Sequence, residues 1–337
     1  MSYQVTLKPS NHQFSVEADE TVLDAALRQG FNLNYGCRNG ACGACMGKVL
    51  AGSVTYGDHP REALDAEDEA AGQALFCQAM PTSDLTIEAH EVGAVKDIPI
   101  KTLPCKVAAL ERLNHDVMRV KLKLPMTERM QFLAGQYVDF LLKDGRRRSF
   151  SIANPPHQDE FIELHVRHIE GGRFTSEVFD NMHEKDLVRI QGPLGGFFLR
   201  EDSTRPIIFM VGGTGFGPVK GMIEHALAMK LERPMHLYWG ARARADLYMD
   251  EQVKAWTRQN PLIRYTPVLS EPRAEDHWEG RTGYVHEAIA ADYADLTPYE
   301  IYASGPPAMV YAGQDVFEKQ GLDLQYYYSD AFEYAQD

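Results

Sequence analysis

From residue 5 to residue 20 the chain reads "VTLKPSNHQFSVEADE". Apolar and polar residues alternate on either side of a Pro-Ser-Asn break, which predicts two strands joined as a hairpin. "TVLDAALRQG" then spaces its apolar residues for a short helix ending at Gly30. From about 101 to 200, short β-like runs recur: "CKVAALERL", "DVMRVKLKL", "QYVDFLLKD", "RRSFSIAN" and "FIELHVRHI". Turn residues separate them, as in a small antiparallel barrel. From about 205 the pattern changes. "PIIFMVGG", a helix over roughly 218–231, "MHLYWGA", a helix near 250–258, "IRYTPVLS" and "EIYASGPP" alternate as a parallel α/β sheet does. "EVGAVKDIPIKTLP", weakly periodic and closed by Pro104, reads as a linker. Three segments are expected, at 1–93, 100–202 and 205–337.

Composition sharpens this picture. A chain of 337 residues suits two or three domains. Its 44% hydrophobic and 24% charged content is that of a globular protein with real cores. No stretch approaches the ~18 apolar residues of a membrane span, and "MSYQVTLKPSNHQ" lacks the apolar region of a signal peptide. Five cysteines, an odd number without an export signal, argue against a disulfide framework. The expectation is a cytoplasmic monomer with reduced thiols. A net charge of −14 disfavours nucleic acid. Residues 1–95 carry 13 acidic side chains against 5 basic ones. Such a segment suits steering toward a basic patch on a partner, and suits plain solubility equally well.

The candidate chemistry starts at Cys37, Cys42 and Cys45, a C-x4-C-x2-C set, with Cys77 following. Four thiolates at this spacing suit a [2Fe–2S] cluster, three from one loop and one from a later segment. Gly36, Gly40, Ala41, Gly43 and Ala44 let that loop bend tightly and aim N–H groups at the sulfurs. The alternatives are structural zinc, which favours paired C-x2-C units, and unlinked buried thiols. Cys105 is left over and reads as a small buried hydrophobe.

"RRRSFSIAN" holds Arg148, Ser149, Phe150 and Ser151, and "HVRHIEGGRFTS" holds Gly171, Gly172, Thr175 and Ser176. Alternation puts Arg148 and Phe150 on one strand face, and a guanidinium suits phosphate geometry. "MVGGTGFGPVKGMI" is a strand, a Gly-rich turn and a helix, a context that favours a dinucleotide pyrophosphate. With "LPCK", "LAGQY", "IELHVR" and "YASGPPAM", these motifs resemble the ferredoxin–NADP reductase superfamily with an N-terminal plant-type ferredoxin domain. The echo covers nearly the whole chain. Reductases that serve a CDP-4-keto-6-deoxyglucose 3-dehydrase, and those of multicomponent oxygenases, share the domain order.

The resemblance implies a β-grasp ferredoxin module, an antiparallel flavin-binding β-barrel and a parallel α/β nicotinamide-binding domain. It implies that Arg148 pairs with the phosphate of FAD, Phe150 lies against the flavin ring and Ser151 hydrogen-bonds near its N5. Tyr137, Ser149, the strand His165–Val166–Arg167, and Gly171, Gly172, Thr175 and Ser176 complete the flavin set. His165 itself reads as a packed strand residue rather than an acid or base. Gly213, Thr214, Gly215, Gly217 and Pro218 are expected to hold NAD(P)H, with Gly305 and Pro306 beside the nicotinamide. Ser304 stands where many relatives have Cys, and Phe332 where relatives carry an aromatic over the flavin. Arg242 and Arg244 suit NADPH while Asp246 suits NADH, and NADH is favoured. Electrons would pass from NADH to FAD to the cluster to a partner protein, an oxygenase component or a sugar dehydrase. The alternatives are a free-standing flavin, quinone or ferric reductase, and a regulatory protein that has kept the motifs.

Overall fold

The computed structural model describes residues 2–89, 91 and 98–333, so residues 92–97 of the expected linker lie outside the described residues. The chain divides into two compact units, Met1–Pro99 and Ile100–Asp337.

In the first unit the hairpin is β1 (Ser2–Lys8) and β2 (His12–Glu17), and the helix is α1 (Val22–Arg28). Thr21 caps α1 by accepting from the Asp24 N–H. There follow β3 (Met46–Ala51), β4 (Val54–Thr55), α2 (Ala66–Ala70), β5 (Gln73–Leu75), β6 (Met80–Pro81) and β7 (Leu85–Glu88). The sheet order is β2-β1-β7-β3-β5, with β1 and β7 parallel and the other pairs antiparallel. Val5, Leu7, Phe14, Leu23, Ala26, Phe76 and Ile87 are buried. This α+β arrangement is the grasp of a helix by a mixed sheet.

The second unit begins with β8 (Lys101–Arg112), β9 (Val117–Lys123), β10 (Tyr137–Leu141), β11 (Arg147–Ser151), β12 (Phe161–Arg167), α3 (Arg173–Asp180) and β13 (Leu187–Leu194). They form an antiparallel sheet ordered β11-β10-β13-β8-β9-β12. An Ile152–Leu164 bridge draws its two ends together into a barrel. Pro104, expected to close a linker, lies inside β8 opposite Arg189. Pairing with β9 starts only at Lys106, so the missing N–H of Pro104 falls where that side of the strand is unpaired. Along β12 the inward residues Ile162, Leu164 and Val166 join the barrel core with Val107, Val120, Val138 and Phe140. Glu163, His165 and Arg167 therefore turn outward.

After the barrel come β14 (Ile207–Gly212), α4 (Phe216–Ala228), β15 (Met235–Ala241), α5 (Asp250–Gln259), β16 (Ile263–Leu269), β17 (Arg281–Thr282), α6 (Val285–Asp292), β18 (Glu300–Gly305), α7 (Pro307–Lys319) and β19 (Tyr327–Ala331). The sheet is parallel throughout, ordered β17-β16-β15-β14-β18-β19. Phe209, Val211, Phe216, Trp239 and Tyr302 fill its core. The helix after the glycine turn begins at Phe216, two residues before its expected start, and takes in Gly217 and Pro218. Proline fits there because the first-turn N–H groups have no partner within the helix. Among the described residues no helix is long and apolar enough to cross a membrane.

Candidate functional site

In the first unit, the loop between α1 and β3 carries Cys37, Cys42 and Cys45, while Cys77 lies just past β5. Met46 pairs with Leu75, and the Phe76 N–H donates to the Cys45 carbonyl, so adjacent strand ends fix Cys45 and Cys77 together. Gly40 has φ +83, and a Cβ there would lie 2.1 Å from the Pro60 carbonyl, so only glycine lets the loop pass. Arg38, paired with Asp24, ties the loop to α1. The Cys42 and Asn39 N–H groups point at the Cys37 sulfur (3.3 and 3.5 Å), and the Cys37 N–H points at the Cys42 sulfur (3.3 Å). Gln78 approaches the Cys77 sulfur and is itself held by the Arg38 carbonyl (2.8 Å) and His59 (2.9 Å).

These contacts divide the four thiols into two lowered and two raised. The Cys42 thiol, then backbone N–H groups, bring Cys37 down to about 6. The Cys45 thiol lowers Cys77 in the same way. The donors Cys42 and Cys45 are pushed up, first by those hydrogen bonds and then by burial. All four thiols are free of disulfides. Four sulfurs with N–H groups turned toward them fit a [2Fe–2S] cluster, whose chemistry is one-electron transfer. Cys105 stands apart in the second unit, buried in the barrel core, where burial raises its thiol to about 12.

In the second unit the register sets Arg148 opposite Phe140 and Phe150 opposite Val138, so these side chains share the inner face of β11. Phe150 meets Phe140 edge-on at 5.7 Å and Phe174 at 5.6 Å. Ser149 and Ser151 take the other face with Asp139 and Tyr137. Ser149 donates to Asp139 (2.6 Å), and Ser151 donates to Asp330 on β19 (2.9 Å). The Tyr137 ring is buried beneath Gly195, where a Cβ would lie 2.8 Å from it.

Gly171, at φ +79, makes the turn into α3, and Gly172 caps it. Thr175 accepts from the Ile169 N–H and lies within reach of the Gly172 carbonyl, while Ser176 pairs with His168. These hydroxyls brace the turn.

The Glu163 N–H donates to Asn154, and its carbonyl accepts from the Ala153 N–H. Alternation turns the main chain of His165 and Arg167 to that same edge, beyond the last bridge at Leu164. This end of β12, with Arg148 on the neighbouring strand, fits a flavin. Val166, expected beside them, lies between His165 and Arg167 on β12. Its side chain is in the barrel core and its main chain faces β9.

The glycine turn is built on close approach. A Cβ on Gly215 would lie 2.0 Å from the Ser304 carbonyl, and one on Gly212 2.7 Å from Pro306. Gly213 has φ +54, and a Cβ there would stand 3.3 Å from the Arg167 guanidinium. Thr214 is half-buried, Gly217 and Pro218 are buried, and Pro306 is exposed. The bare backbone at the start of α4 fits a dinucleotide. Ser304 is fully buried and its hydroxyl has no partner. Its side chain does not line an open surface. Phe332 donates its N–H to Gly305 (2.9 Å), next to Asp330.

Arg242 is held by Asp246 (3.4 Å) and Asp116 (3.7 Å), and Asp116 also takes Arg167 (2.9 Å). Arg244 bonds the Asp276 carbonyl. The Arg242 guanidinium thus sits between two carboxylates, a surrounding that disfavours a further phosphate.

Sequence reasoning missed a buried polar group on the outer face of β12. Lys220 of α4 donates to the Ala153 carbonyl (3.1 Å), Glu163 (3.2 Å) and Glu224 (2.9 Å). His165 lies 3.1 Å from Glu163 and 3.0 Å from the Tyr248 hydroxyl. Burial holds His165 below its usual range, so the ring is neutral: Tyr248 donates to Nδ1, and Nε2–H donates to Glu163. Burial would raise Glu163, but the His165 hydrogen bond and the Lys220 charge prevail and bring it to about 2. Burial raises Glu224. The available signal was Lys220 itself, a single charge in the apolar run "FGPVKGMI".

Three family models match in chain order: a 2Fe-2S iron-sulfur cluster binding domain at 5–82, an oxidoreductase FAD-binding domain at 104–199 and an oxidoreductase NAD-binding domain at 209–315. CDP-6-deoxy-L-threo-D-glycero-4-hexulose-3-dehydrase reductase of Yersinia pestis is 39% identical, over 98% of this chain and 99% of its own. Terephthalate 1,2-dioxygenase reductase component 1 of Comamonas sp is 32% identical, over 98% of each chain. The crystal structure of Amycolatopsis cytochrome P450 reductase GcoB superposes with a TM-score of 0.82 at 34% identity, over 98% of each chain.

Proposed function

Since the chain belongs to the ferredoxin–NADP reductase superfamily, in the branch with an N-terminal plant-type [2Fe–2S] domain, we propose that it feeds single electrons to a partner protein. It is an NAD(P)H-dependent oxidoreductase, and electrons run from NADH through FAD to the [2Fe–2S] cluster. The acceptor is of the kind its relatives serve, a deoxysugar dehydrase or an oxygenase component. The dehydrase reading is favoured by 39% identity, against 32–36% for the oxygenase reductases. The single observation carrying a protein acceptor is the cysteine cradle, because a flavin alone suffices for small acceptors. The protein is proposed to work as a cytoplasmic monomer, with domain limits near 1–93, 100–202 and 205–337.

The chain's own residues divide the work. Cys37, Cys42, Cys45 and Cys77 would hold the cluster. Arg148 would take the flavin phosphate, and the His165–Arg167 edge would offer N–H and C=O groups to the ring. The glycine turn Gly212–Gly217 would hold NADH. A flavin held there would supply the change from two-electron to one-electron transfer. Asp330 fixes the hydroxyl rotor of Ser151, so the Ser151 oxygen keeps one orientation where the barrel meets the nucleotide domain. Phe332 and the Gly305 main chain close the same corner. Purified protein, NADH and a candidate acceptor test the reading. Turnover with the dehydrase or oxygenase must exceed that with free flavin as acceptor; no gain would remove the partner.

A further inference from the structure

α4 presents one face to the barrel: Gly217, Lys220, Gly221 and Glu224, spaced as a single helical stripe. A Cβ on Gly217 would stand 3.6 Å from the His165 ring, and one on Gly221 3.1 Å from the Asn154 carbonyl. The helix backbone therefore lies directly on the barrel strands. Lys220 sits in the middle of this contact, 7% exposed. An ammonium has three donors, and here each finds one acceptor: Ala153, two residues past Ser151; Glu163 on β12; and Glu224 on α4 itself. Lys121 approaches the other Glu163 oxygen at 3.9 Å. A buried ion pair contributes little net stability compared with an apolar contact of the same volume. What it adds is direction, because its partners admit one position of the helix and not its neighbours.

We infer that Lys220 is a positioning residue for electron transfer from NADH to FAD: by joining the end of β11, the outer face of β12 and α4, it sets how far the nucleotide turn stands from the flavin edge. The inference rests on the reading that this edge takes the flavin and the glycine turn takes NADH. The helix that begins at the turn continues into the clamp, so a shift of α4 along the barrel moves the turn by the same amount. Misplacing a reacting group by about 1 Å costs roughly 100-fold in rate.

The test uses FAD-loaded protein carrying Lys220→Met, Lys220→Arg or the isosteric Glu163→Gln. Three quantities are measured: bound flavin per chain, NADH affinity, and flavin reduction in a single turnover. The long-wavelength absorbance of a nicotinamide stacked on flavin is recorded alongside. The expected result for Lys220→Met is flavin content unchanged, NADH affinity within about three-fold, and both the stacking band and the reduction rate at least ten-fold lower. Lys220→Arg should recover part of both, and Glu163→Gln should resemble the Met variant. If Lys220→Met does not fold, Glu163→Gln and Lys220→Arg decide. Parental band and rate in a variant that has lost only thermal stability would overturn the inference and leave Lys220 a strut. Parental protein that binds neither FAD nor NADH would instead overturn the underlying site reading.

Discussion

Replacing Gly215 by alanine tests how closely the nucleotide turn approaches β18. Gly215 has φ −55, a conformation that alanine adopts freely, so only room is at stake. The new Cβ would meet the Ser304 carbonyl oxygen at 2.0 Å, its carbon at 2.4 Å and the Gly305 nitrogen at 2.8 Å, where ordinary contact begins at 3.4 Å. All three obstacles are main-chain atoms of a buried strand, so the turn must move by more than an ångström. Overpacking of this kind costs about 1–3 kcal/mol. If that whole cost fell on the nucleotide-competent state, NADH affinity would drop roughly 5- to 150-fold. Gly213→Ala is the internal comparison. Its φ of +54 brings a conformational cost of about 1–2 kcal/mol, but its Cβ meets only the flexible end of Arg167 at 3.3 Å. The assay is flavin absorbance per chain, followed by an NADH titration and the rate of flavin bleaching. Gly215→Ala should keep its flavin, since no barrel residue is touched, and lose NADH-driven bleaching by roughly five-fold or more. Bleaching at the parental rate, or loss of flavin with NADH affinity intact, would refute the reasoning.

Cys42→Ser should abolish NADH-driven cytochrome c reduction while leaving ferricyanide turnover largely intact, because FAD is reduced before the cluster; loss of both with FAD still bound contradicts that order. Asp330→Ala releases the Ser151 hydroxyl and should slow flavin reduction about ten-fold, the scale of one hydrogen bond to a charged group. Adding Ser151→Ala should then cost little more, and fully additive losses would show that the two residues act separately. His236, held by Tyr293 and Thr266, is lowered by burial to about 4. The folded state resists its protonation, so its contribution is complete above pH 6.5 and is lost as pH falls toward 4. At about 1.36 kcal/mol per unit, that amounts to up to about 3 kcal/mol. Urea unfolding at pH 7, 5.5 and 4.5 should show this loss in the parent and a shallower one in His236→Gln; parallel curves would assign the pH dependence elsewhere.

What could be read from the chain was what is local in it. The cysteine loop and the glycine turn each draw on a few consecutive residues, so spacing and composition identify them. Their supports are remote. Ser151 and Asp330 are separated by 179 positions, and nothing in "YYYSDAF" distinguishes a sixth parallel strand from a tail until β18 is there to pair with it. β13 escaped notice because "LVRIQGPL" carries a Gly-Pro pair that reads as a turn. α6 packs against the sheet and carries no motif. A run such as "HVR" does not say which residue faces the barrel core, because a strand sends successive residues to opposite sides; the structure turns Val166 inward.

The clamp at Lys220 also bears on attempts to build chimaeras in this family. The seam between barrel and nucleotide module is closed by charges belonging to both, so neither half carries a finished boundary of its own. Grafting a foreign nucleotide module to change coenzyme preference would strand Glu163 opposite whatever the donor places at position 220. A graft that moves Glu163, Lys220 and Glu224 as one cassette keeps the seam intact, and the crossover point should be chosen to suit that trio rather than the sheet.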